Sequence, residues 1–314
     1  MKALITGVDG FVGYYLTKHL LEKGDEVYGT TISPDYKNEA ITVKTMDLLD
    51  QSNVEQVINE VNPDAIYHLA GQSAVGLSWD KPQLTMSINV NGTLNLLDAV
   101  KQNDEKHSKK TKVLIIGSSD QYGPVKPEEC PIKEERPLNP VSPYGISKMT
   151  QEQMAKLYVK SYDMQIIMVR AFNHIGPRQN KNFVVADFAS RIAEIEQGAE
   201  PIINVGNLEA YRDFTDVRDI VMGYRMLIEK GHIGEVYNIG SGQAIQVRKV
   251  LDKLVALSCK EIEVNIDASR LRPVDVPLVQ CDNHKIKEHT GWQPVYDVEL
   301  TLKDTLDYWR NRVE

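Results

Sequence analysis

Two groups of residues in this chain have the types and spacing to do chemistry. Gly7-Val8-Asp9-Gly10-Phe11-Val12-Gly13 joins a short apolar run to an amphipathic stretch. Glycines so placed permit a tight turn, close approach of backbone to a phosphate, and close packing of helix on strand. The helix that follows would offer free N–H groups and a partial positive charge to a pyrophosphate. The flanking strand and helix are the context that separates dinucleotide binding from an ordinary glycine turn. The second group is a tyrosine four residues before a lysine. A phenol beside an ammonium can protonate the oxyanion that develops when hydride reaches a ketone carbon. The positive charge stabilises the phenolate and lowers a pKa that is ordinarily about 10. This spacing occurs three times, at Tyr14/Lys18, Tyr122/Lys126 and Tyr144/Lys148. Tyr14 stands on the helix turn committed to pyrophosphate, and Gly123-Pro124 interrupts the second pair. Only Tyr144-Gly145-Ile146-Ser147-Lys148 follows a helix cap, Ser142-Pro143, so only there does one continuous helix set both side chains on one face.

These groups need a scaffold, and the first half of the 314 residues alternates strand-like and helix-like segments. The runs 3–5, 26–28, 65–69, 113–116 and 165–169 are apolar and of buried-strand length. Stretches 12–23, 54–61 and 88–100 have helical spacing. Such alternation predicts an α/β chain: a doubly wound parallel sheet with helices on both faces and ligands at the carboxyl ends of its strands. After Arg170 the rhythm loosens, with helices expected near 188–197, 217–229, 247–257 and 300–312 and a strand at 236–238. The expected division is a dinucleotide-binding domain of residues 1–170 plus about 213–242, and a smaller, interleaved C-terminal lobe of about 171–212 and 243–314.

Composition sets the outer limits. With 42% hydrophobic and 25% charged residues, disorder is excluded as the main theme. No apolar run approaches the roughly 18 residues of a membrane span, and no secretory signal opens the chain. A net charge of −8 argues against nucleic acid and anionic membrane as partners. The basic cluster 106–112 reads as a solvated turn. Cys130, Cys259 and Cys281 are widely spaced and lack CxxC spacing, which argues against a disulfide framework or a metal site and for the cytoplasm.

The GxxGxxG spacing and the Tyr144/Lys148 pair resemble the extended branch of the short-chain dehydrogenase/reductase superfamily. The resemblance implies a Rossmann-type fold, with Gly7, Gly10, Phe11, Val12 and Gly13 around the pyrophosphate. It places Asp47 and Leu48 at the adenine, and Leu69, Ala70 and Gly71 along the cofactor. Lys148 would hold the nicotinamide ribose. In Gly117-Ser118-Ser119-Asp120-Gln121-Tyr122-Gly123, Ser118 matches the active-site hydroxyl, which completes a catalytic set of Ser118, Tyr144 and Lys148, while Ser119 could do no more than cap the turn. After the second strand stand Thr30 and Thr31, neither an acid for a ribose hydroxyl nor a base for a 2′-phosphate. Both NAD(H) and NADP(H) are therefore expected to be accepted.

Further motifs narrow the resemblance to the GDP-mannose dehydratase group and its 4-ketoreductase relatives: Asn173-His174-Ile175-Gly176-Pro177-Arg178-Gln179, Asn182-Phe183-Val184-Val185, 205–214 and Arg272-Pro273-Val274-Asp275-Val276. It implies that Arg212 clamps the diphosphate of a GDP-sugar, with Arg178 and Arg272 adding charge. Asp275 would accept from the nucleoside and Asn173 would touch sugar or phosphate. Ser73, Ser119, Asp120 and Val184 would complete the substrate site. Dehydratases of the group carry a glutamate where this chain has Asp120, shorter by one methylene, and near-attack geometry tolerates such a loss poorly. The expected reaction is therefore reduction of the C4 ketone of GDP-4-keto-6-deoxy-D-mannose to GDP-D-rhamnose. The alternatives are a 4,6-dehydratase or epimerase, and a catalytically silent dinucleotide sensor. A homodimer through helices near 88–102 and 144–160 is also implied.

Overall fold

The computed structural model describes residues 1–270 and 276–312, so the expected roles of Arg272 and Asp275 lie outside the described residues. The first half runs β1 (Lys2–Thr6), α1 (Phe11–Glu22), β2 (Glu26–Thr31), β3 (Thr42–Thr45), α2 (Gln51–Val61), β4 (Ala65–His68), α3 (Val75–Asp80) and α4 (Pro82–Met86). A π-helical turn at Ser87–Asn91 leads into α5 (Gly92–His107), followed by β5 (Lys112–Ser118), α6 (Pro143–Tyr162) and β6 (Gln165–Ala171). Then come β7 (Asn173–Ile175), α7 (Val184–Glu196), β8 (Ile202–Val205), β9 (Tyr211–Asp216), α8 (Val217–Lys230) and β10 (Val236–Ile239). The chain continues through β11 (Ala244–Gln246), α9 (Val247–Ala256), β12 (Glu263–Ile266), β13 (Leu278–Val279), α10 (His284–Thr290) and α11 (Val298–Arg310).

Seven strands form one parallel sheet in the order β10-β6-β5-β4-β1-β2-β3. This is the doubly wound α/β fold expected. Alternation along each strand feeds two cores. Ile5, Tyr67 and Ile167 pack on Leu16 and Leu20 of α1 and on Ile220 and Tyr224 of α8. Leu4, Ile66 and Ile115 face the other way, against Ile58 of α2, Leu96 and Val100 of α5 and Ala155 of α6. Strand order reverses between β1 and β4, so the crevice at their carboxyl ends is the place where such a sheet binds ligands. A third core, from Phe188 and Ile192 of α7, Val250 and Leu254 of α9 and Leu302 and Leu306 of α11, supports the small sheets. Those are β11-β9-β13 with β7 added on β9, and the pair β12-β8.

Some short elements show no apolar run in the sequence, for a physical reason. β7 is Asn-His-Ile and β3 is Thr-Val-Lys-Thr, too short or too polar to show an apolar run. The helix expected near 188 begins at Val184 without a side-chain cap, so no capping residue marks its start. Among the described residues, no helix is long and apolar enough to cross a membrane, and no cluster of three or more acidic, histidine or cysteine side chains could hold a metal ion.

The turn into α1 carries the tightest constraint. A Cβ at Gly13 would lie 2.6 Å from the carbonyl oxygens of both Gly7 and Val8. Neither backbone oxygen can swing away, so Gly13→Ala should push α1 off the loop. We expect a stability loss of about 1–3 kcal/mol, the range for overpacking, and at least roughly tenfold weaker dinucleotide binding. Calorimetry and a fluorescence titration would check this, and an alanine variant that melts and binds like the parent would contradict it.

Candidate active site

Ser142 starts α6 as its composition demands: its hydroxyl accepts from the Gly145 N–H at 3.0 Å, and Pro143 takes the first helical position. Tyr144 and Lys148 then fall one turn apart on the face turned to the sheet, 8% and 6% exposed. The Lys148 ammonium donates to the Ile116 carbonyl at 2.8 Å and to Gln151 Oε1 at 3.1 Å. Its Nζ lies 3.7 Å from where a Cβ on Gly71 would stand, which brings it to the carboxyl end of β4. Ser118 ends β5, close enough to the Tyr144 phenol to act on its pKa. Ser118 also caps the turn that follows, a role the sequence had suggested for Ser119. Its Oγ accepts from the Asp120 N–H at 3.1 Å and donates to Asp120 Oδ2 at 3.2 Å. Its own N–H donates to Gln121 Oε1 at 2.9 Å.

The other two pairs go elsewhere. Lys18 is largely exposed and pairs with Glu22. Tyr122 is buried, donates to Asn238 Oδ1 at 2.7 Å and accepts from Arg170 at 2.8 Å, while Lys126 faces solvent.

Electrostatics correct one expectation. Lysine proximity was expected to bring the Tyr144 phenol down. Its pKa is instead raised well above the ordinary value, first by burial and then by the Asp120 carboxylate, with only partial relief from the neighbouring Ser118. The Lys148 charge is spent on two neutral oxygens, and burial brings its own pKa down to about 8. Near neutrality the phenol thus keeps its proton, which is the state a proton donor needs.

The glycine turn is built as a cradle. Gly7 has φ +71°, and a Cβ on it would press to 3.0 Å on the Ala70 Cα, so the turn lies directly on the segment Leu69–Gly71. The Gly7 and Val8 N–H groups donate to the Thr30 carbonyl at 2.8 and 3.0 Å, tying the turn to the end of β2. Gly10 caps α1 without a side chain, leaving Phe11 and Val12 to open the helix. A cradle that any Cβ would fill, at a helix N-terminus, fits the pyrophosphate of a nicotinamide dinucleotide. Asp47 is exposed and its carboxylate holds the Leu49 N–H, while Leu48 is buried against Gly92 and its carbonyl accepts from Asn95. Asp9 stands within the glycine turn itself. Its carboxylate is exposed and takes a hydrogen bond from Ser33 at 3.4 Å.

Strand register orders the remaining candidates. Ser118 pairs with Ala171, two residues before Asn173, and Asn173 pairs with Phe214, two residues beyond Arg212. Asn173 is exposed, and Arg212 is half-buried with Nη1 donating to the carbonyls of Tyr211 and Val276 at 2.8 and 2.7 Å. Ser73 and Asp120 are exposed, Ser119 is half-buried, and Val184 opens α7 at the surface. Arg178 sits with φ +76° and its guanidinium 4.0 Å from the Tyr14 ring centroid, which places its charge on the first turn of α1. Stacking of His174 on Phe11 and a bond from Tyr15 to the Pro177 carbonyl fix that segment there. The sequence reading also passed over His68, Asn89, Thr93 and Gln151, all buried around Lys148. Asn89 and Thr93, four apart and so on one side of the helical stretch 88–100, were the available signal.

The chain matches the GDP-mannose 4,6-dehydratase family over residues 4–305. It is 33% identical to a GDP-6-deoxy-D-mannose reductase of Pseudomonas aeruginosa, covering 99% of this chain and 98% of that protein. It is 31% identical to a GDP-mannose 4,6-dehydratase of Vibrio cholerae, covering 96% and 91%. The solved structure of RMD from Pseudomonas aeruginosa complexed with NADPH superposes with a TM-score of 0.88 at 32% identity, covering all of both chains. The chain belongs to the GDP-mannose 4,6-dehydratase family, and it is a nicotinamide-dependent oxidoreductase of the extended short-chain dehydrogenase/reductase type.

Two outcomes follow from this geometry. Tyr144→Phe should lower turnover by on the order of 10² to 10⁴ while dinucleotide affinity, read by fluorescence quenching, stays nearly unchanged. Near-parental turnover would remove Tyr144 as proton donor. The second concerns pH. Lys148 carries its charge below a pKa of about 8 and loses it as pH rises, so kcat/KM for the dinucleotide should fall above about pH 8. A profile flat to about pH 9.5 would show that the charge is not used.

Proposed function

We propose that this member of the family reduces the C4 ketone of GDP-4-keto-6-deoxy-D-mannose to GDP-D-rhamnose at the expense of NADPH or NADH. The observation that carries the reading is the position of Asp120. A dehydratase needs a carboxylate free to take the C5 proton, and Asp120 instead holds the Ser118 hydroxyl and adds to the effect of burial in keeping the Tyr144 phenol protonated. A site that starts with a neutral phenol is prepared to give a proton, as ketone reduction requires, rather than to take one from a C4 hydroxyl. The full-length likeness to the Pseudomonas aeruginosa reductase supports the same reading.

When bound, the nicotinamide dinucleotide supplies the hydride. Tyr144 gives its proton to the C4 oxygen, and the Ser118 hydroxyl turns its single proton from Asp120 to donate a hydrogen bond to the same atom. Lys148 holds the nicotinamide ribose and offsets the charge left on Tyr144. Arg212 meets the diphosphate, where a guanidinium gives bidentate, permanently charged contact, and Asn173 meets the sugar side. Within this division of labour, residues 1–170 and about 213–242 hold the dinucleotide, and about 171–212 and 243–314 hold the nucleotide sugar. Thr30 and Thr31, both buried at the end of β2, present no group that reads a 2′-phosphate, so both dinucleotides are admitted. Two copies pair through α5 and α6, where Ile146, Leu157 and Tyr162 are exposed.

Two incubations test the reaction. With GDP-mannose alone no 4-keto-6-deoxy sugar should form. With the 4-keto-6-deoxy sugar, one equivalent of NADPH or NADH should disappear per product, with no inversion at C3 or C5. Dehydration of GDP-mannose without net cofactor loss would overturn the reading and make Asp120 the elimination base. Dinucleotide binding with neither activity would favour a sensor.

A further inference from the structure

Lys148 brings a positive charge into a site shielded from water, and one of its two acceptors is a side chain whose orientation the structure determines. Thr93 Oγ1 donates to the Asn89 carbonyl at 2.7 Å, so it has only lone pairs left for its other neighbours. Gln151 Nε2, at 2.7 Å, and His68 Nε2, at 3.0 Å, must therefore both donate to it. This sets the Gln151 amide with its NH₂ toward Thr93 and its oxygen toward Lys148. It also sets His68 as the Nε2–H tautomer, whose Nδ1 accepts from Thr6 Oγ1 at 2.9 Å. Thr6 Oγ1 in turn accepts from the Ala70 N–H at 3.0 Å. The four side chains Thr6, His68, Thr93 and Gln151 are at most 1% exposed, and the direction of every bond in the chain is consistent with the next.

We propose that Gln151 is a positioning residue for Lys148: its amide oxygen, oriented by Thr93 and the neutral His68, anchors the ammonium and stabilises its charge. Two of the three ammonium protons are then committed, to Ile116 and Gln151, and the third is left for the ligand side. Buried charges persist only where hydrogen-bond partners replace water. The titratable groups around the ammonium do not supply a counter-charge. Tyr144 on the same helix is neutral. His68 from β4 is held neutral, its pKa pushed down to about 3 by burial and by Lys148 itself. Asp120, beyond β5, is exposed and bound to Ser118. Glu152 is taken by Arg170 and Lys156. With the Ile116 carbonyl, the Gln151 amide oxygen therefore offsets the burial that works against the lysine charge.

The inference rests on Lys148 as the cofactor-side cation and not on which sugar is reduced. It is tested by NMR titration of protein carrying ¹³Cε-labelled lysine, with the Lys148 signal assigned by its loss in Lys148→Arg. In Gln151→Met, which keeps length but cannot accept a hydrogen bond from the ammonium, the Lys148 midpoint should fall by about one pH unit, a tenfold change in the protonation equilibrium. In Gln151→Glu it should rise above the parental value, and in Thr93→Val, which frees the amide to turn, it should fall. Dinucleotide binding, titrated over pH 6–10 by roughly unit steps, should weaken at correspondingly lower or higher pH. An unmoved Lys148 midpoint in Gln151→Met or in Gln151→Glu, in variants that melt like the parent, would overturn the proposal. Should the methionine variant fail to fold, a glutamate variant without the upward move overturns it alone. Midpoints that move as stated in a protein that reduces no GDP-keto sugar would keep this inference and remove the proposed reaction.

Discussion

An ammonium held out of water at the open end of a parallel sheet is the constraint around which this structure is arranged. Removing such a charge from solvent costs several kcal/mol unless oxygens replace the lost water. Everything near Lys148 answers that demand. β5 brings up the Ile116 carbonyl, and α6 brings Gln151 one turn beyond the lysine. The π-helical turn before α5 swings Asn89 inward, where its amide joins Gln72 in the loop after β4 to Ser147 of α6. Gly71 lacks a side chain where a Cβ would meet Asn89 Oδ1 at 2.9 Å, so the loop after β4 can close over the same network.

A second buried charge supports the turn that carries Ser118. Arg170, near the end of β6, grips both oxygens of Glu152 on α6 at 2.8 Å. Glu152 also accepts from Gln121, whose oxygen holds the Ser118 N–H. Ser118 is thus fixed to the helix that bears Tyr144 through one side chain and one ion pair. Breaking a pair like Arg170–Glu152 on one side would leave an uncompensated buried charge, which costs more than the pair contributes when whole. Hydroxyl and phenol keep their relation because the groups behind them cannot move independently.

Much of this was legible in the chain because it depends on local rules. Ser142-Pro143 announces α6, and the glycine turn announces the cradle. Alternating apolar runs announce the central sheet. What escaped depends on burial and on neighbours distant in sequence. The phenol of Tyr144 looked set to be lowered by its lysine, but the spacing of two residues on a helix says nothing of the desolvation or of the Asp120 carboxylate that dominate. The motif around Arg178 did not show its left-handed backbone or its stacking on Tyr14 at the start of α1. Gln151 is an unremarked polar residue in sequence, and its role appears only when Thr93 and His68 arrive from other elements.

The central claim is that a neutral Tyr144 protonates the sugar oxygen while hydride arrives at the adjacent carbon. Its most direct test follows the label from nicotinamide dinucleotide deuterated at the transferable C4 position, with the GDP-4-keto-6-deoxy sugar in light water. Deuterium at C4 of the product sugar, and at neither C5 nor C6, is the predicted result. Product without deuterium at C4, or with the label at C5 or C6, would contradict the account.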